Sequence, residues 1–166
     1  MANYCIRLCT FVALLVLIAQ SHSTISQQQR DELNCEGEND SMMKKDMRKT
    51  AGVGHRSKRK LYPTEEGPRS PMGYDCTLEG KASIIVKSQC NGEHTHRVLG
   101  NNENGNVAYR PHHNPLSTTD VTAGINKWWS EQDSPTYAQM TKTNATKVGC
   151  AFHKCEKDYA FVCIYA

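Results

Sequence analysis

Cysteine is the residue that most constrains how this chain can fold, because the last twenty residues, KVGCAFHKCEKDYAFVCIYA, contain three of them. Cys150 and Cys155 are separated by four residues and have no second matched pair, whereas structural zinc sites favour two closely spaced pairs. Disulfide bonds explain these cysteines better than a metal does. Disulfides persist in oxidising compartments, so the sequence must also contain a route to one.

The N-terminus supplies that route. Arg7 is followed by the apolar run TFVALLVLIA and then by small residues between positions 19 and 23. The run is too short to span a bilayer, and it predicts a cleavable secretory signal over residues 1–23. We therefore expect a secreted, extracellular protein without a membrane span.

Removing the signal takes Cys5 and Cys9 away and leaves six of the eight cysteines. An even number in a secreted chain predicts three disulfides. The six are Cys35, Cys76, Cys90, Cys150, Cys155 and Cys163. Two glycosylation sequons, at Asn39 and Asn144, agree with a secretory route.

Residues 24–70 form a polar, basic N-terminal segment. Between Lys44 and Lys60 there are eight Lys or Arg residues and one acidic residue, Asp46. A solvated helix face with a loop explains this composition, and the alternative is a contact with an anionic surface such as a glycosaminoglycan or a lipid headgroup. Nucleic acid is not expected, because no aromatic residues are interleaved with the basic ones. The stretch RSKR at 56–59 resembles a processing site of a secretory convertase.

Two helices are predicted within residues 71–166. Apolar residues recur at helical spacing between Leu78 and Val86, which predicts a helix over about 77–90. The stretch TTDVTAGINKWWSE predicts a second helix with its apolar stripe ending at Trp128 and Trp129. Cys76 and Cys90 would then lie about 21 Å apart along the first helix, beyond the Cα separation of about 7 Å that a disulfide allows. These two cysteines cannot pair with each other.

The last twenty residues predict a strand hairpin. An antiparallel pairing around a loop at 154–159 places residue 148 opposite 165 and Cys150 opposite Cys163. A Cys150–Cys163 disulfide follows from this geometry. The other four cysteines are left with two schemes, 35–90 with 76–155 or 35–76 with 90–155, and the spacing does not choose between them.

The stretches MGYDCTLEGKASIIVKSQC, INKWWSE, TYAQMTKTNATKVGCAFHKC and AFVCIY occur in this order. Together they resemble the CAP superfamily of cysteine-rich secretory, antigen 5 and pathogenesis-related proteins, and most of all its SCP/TAPS branch of nematode activation-associated secreted proteins. The resemblance covers about 72–166. It implies an α+β fold, an α-β-α sandwich with a small antiparallel sheet between helical layers, and its usual disulfide pairing favours 35–90 with 76–155.

The resemblance also implies a cleft with two histidines and two glutamates that binds zinc in some members. The matching positions are His94 in CNGEHT, Glu103 in NEN and Glu131 in WWSE, but Thr136 stands where the second histidine belongs. A threonine hydroxyl is a poor zinc ligand, so we expect no cofactor or only weak zinc. Other histidines compensate only if folding brings one close; they are His96, His112, His113 and His153.

The family's early H-N-x-x-R helix is divergent here, with only Lys44, Lys45 and Arg48 in its place. No nucleophile is linked by a motif to a base, and the mature cysteines are expected to be oxidised, so we do not expect an enzyme. The prediction is a secreted protein that acts by binding an extracellular protein, a lipid or sterol, or an anionic surface, with a role at a parasite–host boundary. The alternatives are a metal-dependent hydrolase that uses His94, Glu103 and Glu131, and a release of the basic segment at RSKR.

Overall fold

The computed structural model describes residues 34–35, 40–61, 69–91, 94–100, 103–112 and 115–166. The predicted signal and the sequon at Asn39 lie outside these residues. Four α-helices are described: α1 (Lys45–Lys60), α2 (Cys76–Ser88), α3 (Thr118–Ser130) and α4 (Pro135–Thr141), with a 3-10 turn (Gln89–Asn91) after α2. The strands are β1 (Gly73–Tyr74), β2 (Arg97–Val98), β3 (Gly105–Pro111), β4 (Lys147–Lys154) and β5 (Asp158–Tyr165).

The five strands form one sheet in the order β1-β4-β5-β3-β2. The short β1 runs parallel to β4, and the remaining neighbours are antiparallel. Strand β5 is central, and its residues from Tyr159 to Tyr165 are all buried, which explains why this run is apolar on both faces. The predicted hairpin register is the observed one, with Val148 opposite Tyr165 and Cys150 opposite Cys163.

Helical layers cover both faces of the sheet. On one face α2 packs its apolar residues, including Leu78 and Val86, against strand residues such as Val162. On the other face α1, α3 and α4 share a core in which Met47 and Trp128 meet the strands. The α-β-α sandwich and the α+β class are therefore confirmed.

Side chains define where the predicted helices begin. Asp75 caps α2 by accepting the N–H of Leu78, and Ser117 and Asp120 form a capping box at the start of α3. The observed helices agree with those predicted from the apolar spacing. The first one changes to a 3-10 turn at Gln89, just before the predicted end.

The basic segment contributes more to the fold than a solvated helix face. Met47 and Ala51 on α1 are fully buried in the core, and Arg59 is buried and donates from Nη1 to the carbonyls of Met140 at 2.9 Å and Lys142 at 2.8 Å. The folded core therefore begins upstream of residue 71. The RSKR stretch lies in the last turns of α1, and Arg59 at its end is buried.

The disulfides join Cys35 to Cys76, Cys90 to Cys155 and Cys150 to Cys163. The pairing of 35–90 with 76–155, which the resemblance favoured, is wrong. Strand β1 is parallel to β4 and leads directly into α2, so α2 runs along β4 in the same direction. Cys76 then lies near the start of β4, and Cys90 lies near Cys155 at its end.

Gly149 allows this close packing, since a Cβ at that position would collide with the α2 backbone at Leu78 and Glu79. In the part of the chain that the structure describes, no helix combines the length and the apolar character that crossing a bilayer requires.

Candidate functional site

The four positions expected to form the cleft do not converge. His94 lies on the loop after α2, where its Nδ1 is 2.6 Å from Asp158 Oδ2 and its ring stacks on Tyr109. Its Nε2 is 3.3 Å from the carbonyl oxygen of Cys90. Both ring nitrogens therefore have partners, and Asp158 at the start of β5 keeps this histidine next to the Cys90–Cys155 disulfide.

Glu131 and Thr136 do meet, at the junction between α3 and α4. The buried Thr136 hydroxyl donates to Glu131 Oε2 at 3.2 Å, and Lys127, one turn earlier on α3, lies 2.8 Å from Glu131 Oε1. The hydrogen bond from Lys127 holds the pKa of the Glu131 carboxyl below its usual range. The Glu131 carboxylate therefore stays ionised, and the ammonium group of Lys127 balances its charge.

A different histidine lies near Glu131. His96, just before β2, accepts the backbone N–H of Tyr109 at its Nδ1, at 3.3 Å. It lines a cleft of about 310 Å³ with Arg110 and Lys127 among its other walls. Burial lowers the pKa of His96, the charge of Lys127 lowers it further, and Glu131 opposes both. Of the alternative histidines, His113 lies outside the described residues, and among the others His96 is the one that folding brings to this carboxylate.

Among the described residues, Glu103 forms no hydrogen bond or ion pair with the other three groups. It is exposed on the turn that precedes β3, where its carbonyl accepts the N–H of Gly105 at 3.0 Å. The buried residue on β3 near Thr136 is Asn106, whose Nδ2 donates to the Thr136 carbonyl at 2.8 Å. No hydrogen bond or ion pair joins the carboxylate matched from the NEN stretch to the described residues of the cleft.

Comparison with known proteins identifies the architecture. A sequence model of the family described as "CAP: Cysteine-rich secretory protein family" matches residues 45–165. The chain belongs to this family. The match begins at the first residue of α1, which agrees with the packing of one face of this helix in the core. No curated protein sequence is similar enough to the chain to count as a relative.

Several solved structures share the fold. The crystal structure of hookworm platelet inhibitor has a TM-score of 0.59 at 24% identity, and the match covers 79% of this chain and 72% of that one. NaASP2 with Zn2+ has a TM-score of 0.57 at 19% identity, with 78% and 84% covered. The Ancylostoma-secreted protein Ac-ASP-7 has a TM-score of 0.50 at 18% identity, with 78% and 73% covered. At these identities the likeness is one of fold.

The residues of this CAP domain do not fit the metal that some family members bind. Within the described ranges, no group of three or more His, Cys, Asp or Glu side chains could hold a metal ion. The donor chemistry agrees, since His94 is turned to Asp158, Glu131 is paired with Lys127, and Thr136 supplies only a hydroxyl. The described side chains therefore do not form the zinc site that a metal-dependent hydrolase would need.

Sequence reasoning missed a buried polar cluster between α1 and α2, in which three side chains surround one carboxylate. Glu79 on α2 is fully buried and faces Arg48 of α1 through two contacts of 2.7 Å. The hydroxyls of Ser41 and Tyr74 donate to the same carboxylate at 2.6 and 2.7 Å. Every oxygen of Glu79 is satisfied, so the cluster joins α1 to α2 and is structural. Among the residues of the divergent first helix, Arg48 was the one that could have indicated this polar cluster.

A groove between α1 and α3 is a further concave feature of the CAP domain. It encloses about 360 Å³, and its apolar floor is formed by Val53, Gly54 and Ile125. Gly54 allows the helices to approach, since a Cβ there would lie 3.0 Å from Ile125 Cδ1. Lys49 and Lys58 also line the groove. An apolar floor with ammonium groups beside it is a feature that the sequence periodicity did not reveal.

Proposed function

We propose that this CAP protein is secreted, is not an enzyme, and acts by binding an amphiphilic anion in the groove between α1 and α3. The groove itself is the observation that carries the proposal. It is a concave surface on which the exposed side chain of Val53 and two lysines occur together.

The cleft offers little for catalysis, which supports a binding role. A general base or nucleophile needs a free, suitably placed group, but the Glu131 carboxylate is shared between Lys127 and Thr136. His94 lies away from it, against Asp158. The six cysteines expected in the mature chain are joined in disulfides, so none of them supplies a thiolate.

The ligand class follows from the groove. Val53 is 50% exposed, whereas Ile125 beneath it is only 2% exposed, so Val53 supplies most of the apolar surface that water covers when no ligand is bound. A ligand with a hydrocarbon portion gains from covering that surface. Its acidic headgroup is attracted by the ammonium groups of Lys49 and Lys58. A long-chain carboxylate has both properties, and a neutral sterol has only the first.

A role at the boundary between a parasite and its host is the wider part of the proposal. Its support is the fold shared with a protein described as hookworm platelet inhibitor, together with the apolar stretch over residues 1–23 and the disulfides. Secretion is tested by the intact mass of the protein released from eukaryotic cells. A mass that still includes residues 1–23 would contradict it.

The groove is tested by titrating a fluorescent long-chain fatty acid into the protein and into two matched variants. Val53→Asp puts a negative charge beside the apolar floor, whereas Ile84→Asp makes the same change at a 74% exposed position on α2, in the opposite layer. We expect Val53→Asp to weaken binding at least about tenfold, which corresponds to about 1.4 kcal/mol, and Ile84→Asp to leave it unchanged.

Equal affinities in all three proteins would contradict a ligand site in the groove. Circular dichroism spectra that coincide for the three proteins exclude unfolding as the cause of a loss. Native mass spectrometry of the secreted protein provides an independent readout, since a co-purified amphiphile should appear with the wild type and Ile84→Asp and be absent from Val53→Asp.

A further inference from the structure

The exposed side of α1 has its basic residues in a line. The residue numbers of Lys45, Lys49, Arg56 and Lys60 differ by four, seven and four. At about 100° per residue they fall within an arc of about 60° around the helix axis, and they extend over about 22 Å. We call these four residues the basic stripe. The three lysines are exposed and Arg56 is half-buried.

The stripe differs from the other cations of α1 in what surrounds it. Arg48 is paired with Glu79, Arg59 is buried among backbone carbonyls, and Lys58 lies over the Trp129 ring at 5.7 Å. Within the described part of the chain, no ion pair involves a residue of the stripe. Asp46, the helix's one acidic residue, accepts the N–H of Met47 and lies on the neighbouring flank.

A line of cations that form no ion pair with the described residues fits a linear polyanion better than it fits a membrane. A helix that lies on a bilayer inserts a continuous apolar face between the headgroups, but the apolar face of α1 is already packed in the core. Val53 and Leu61 are the large apolar residues of this helix and its C-cap that remain exposed. An extended polysaccharide chain can follow the stripe and place an anionic group near each cation.

We propose that the basic stripe binds a linear sulfated polysaccharide. Sulfate groups pair with Lys as point charges and with Arg through two N–H groups, and repeated sulfates provide the charge density that four cations need for measurable attraction. The site goes beyond the groove function. It needs no apolar contact, and three of its four residues lie outside the run of consecutive basic residues at 58–60.

The experiment measures binding to a heparin decasaccharide by calorimetry at low salt. The stripe variant carries Gln at positions 45, 49, 56 and 60. The control variant carries Gln in place of four exposed lysines on α2 and around the β4–β5 turn, and these are Lys81, Lys87, Lys154 and Lys157. Both variants lose the same formal charge, so an effect of net charge alone changes both equally.

We expect the stripe variant to bind at least about tenfold more weakly, because four exposed ion pairs of ordinary strength together amount to about that factor. The control should retain most of the wild-type affinity. Wild-type binding should weaken as salt approaches physiological strength, where screening acts beyond about 8 Å. A heparin disaccharide, too short to follow the stripe, should bind more weakly than the decasaccharide.

Equal losses in the two variants would overturn the proposal, since they would indicate a response to net charge. Tighter binding to vesicles of phosphatidylcholine with phosphatidylserine than to heparin would also overturn it, in favour of a membrane. Binding to the unsulfated polysaccharide hyaluronan as tight as to heparin would overturn the requirement for sulfate. Val53→Thr, which reduces the apolar surface of the groove without adding a charge next to Lys49 and Arg56, should leave heparin binding within the range of the wild type, which separates this result from that of the groove.

Discussion

His55 connects the stability of the protein to pH. It is fully buried on the inner face of α1, where Nδ1–H donates to the Ala51 carbonyl at 2.8 Å. Its Nε2 is left to accept the Tyr165 hydroxyl of β5 at 3.2 Å. The same tyrosine oxygen accepts Nδ2 of Asn106 at 3.3 Å. The network requires a neutral imidazole, because a doubly protonated ring could not accept from Tyr165.

The size of the change in stability with pH follows from the pKa of His55. Burial lowers the pKa of His55 from 6.5 to about 4, and the charge of Arg59 adds to this, while the Ala51 hydrogen bond opposes it. In the unfolded chain the imidazole takes its proton near pH 6.5, whereas in the folded protein it stays neutral down to about pH 4. Acid therefore favours the unfolded state, and stability falls as pH decreases through this window. At about 1.36 kcal/mol per pKa unit, the loss between about pH 8 and pH 5 is about 2 kcal/mol.

The assay is urea denaturation at several pH values between about 8 and 5, with disulfides intact. His55→Gln removes the titrating group, so it should be less stable than the wild type at about pH 8 and lose about 2 kcal/mol less on acidification. Tyr165→Phe breaks the same hydrogen bond but keeps the histidine buried, so its pH dependence should follow the wild type. Parallel pH profiles for the wild type and His55→Gln would refute the reasoning.

Three further predictions rest on the core and the surface. Arg48→Met should lower the free energy of unfolding by about 3–5 kcal/mol, because it leaves the Glu79 carboxylate buried and unpaired; in urea denaturation, the double variant with Glu79→Leu should lose less than the sum of the single changes. Removing the Cys150–Cys163 bridge should cost about 2–5 kcal/mol and reduce secretion, and peptide mapping of the non-reduced protein should return the three observed bridges and no others. Asn144 is exposed between α4 and β4 and should carry glycan, so an amidase that leaves the mass of the 136–149 peptide unchanged would contradict this.

Local patterns were enough to predict several elements. The residues of β5 are apolar at successive positions, and their antiparallel pairing with β4 fixed the Cys150–Cys163 contact. Helices α2 and α3 followed from apolar spacing, and both begin directly after a capping residue, Asp75 and Ser117. These features depend on residues close together in the chain, so spacing alone determines them. The family's ordered motifs then predicted how the elements stack.

The tertiary structure decided what depends on residues distant in sequence. The direction of α2 along β4 selected 35–76 with 90–155, although either scheme satisfied the spacing. Packing turned His94 towards Asp158 and placed His96, two residues later, beside Glu131. The same packing separated Arg48 and Arg59, which are held inside, and Lys58, which lies over the Trp129 ring, from the stripe on the outer side of α1. Composition counts all of these charges alike, because burial and counterions are set only when helices and strands from distant parts of the chain come together.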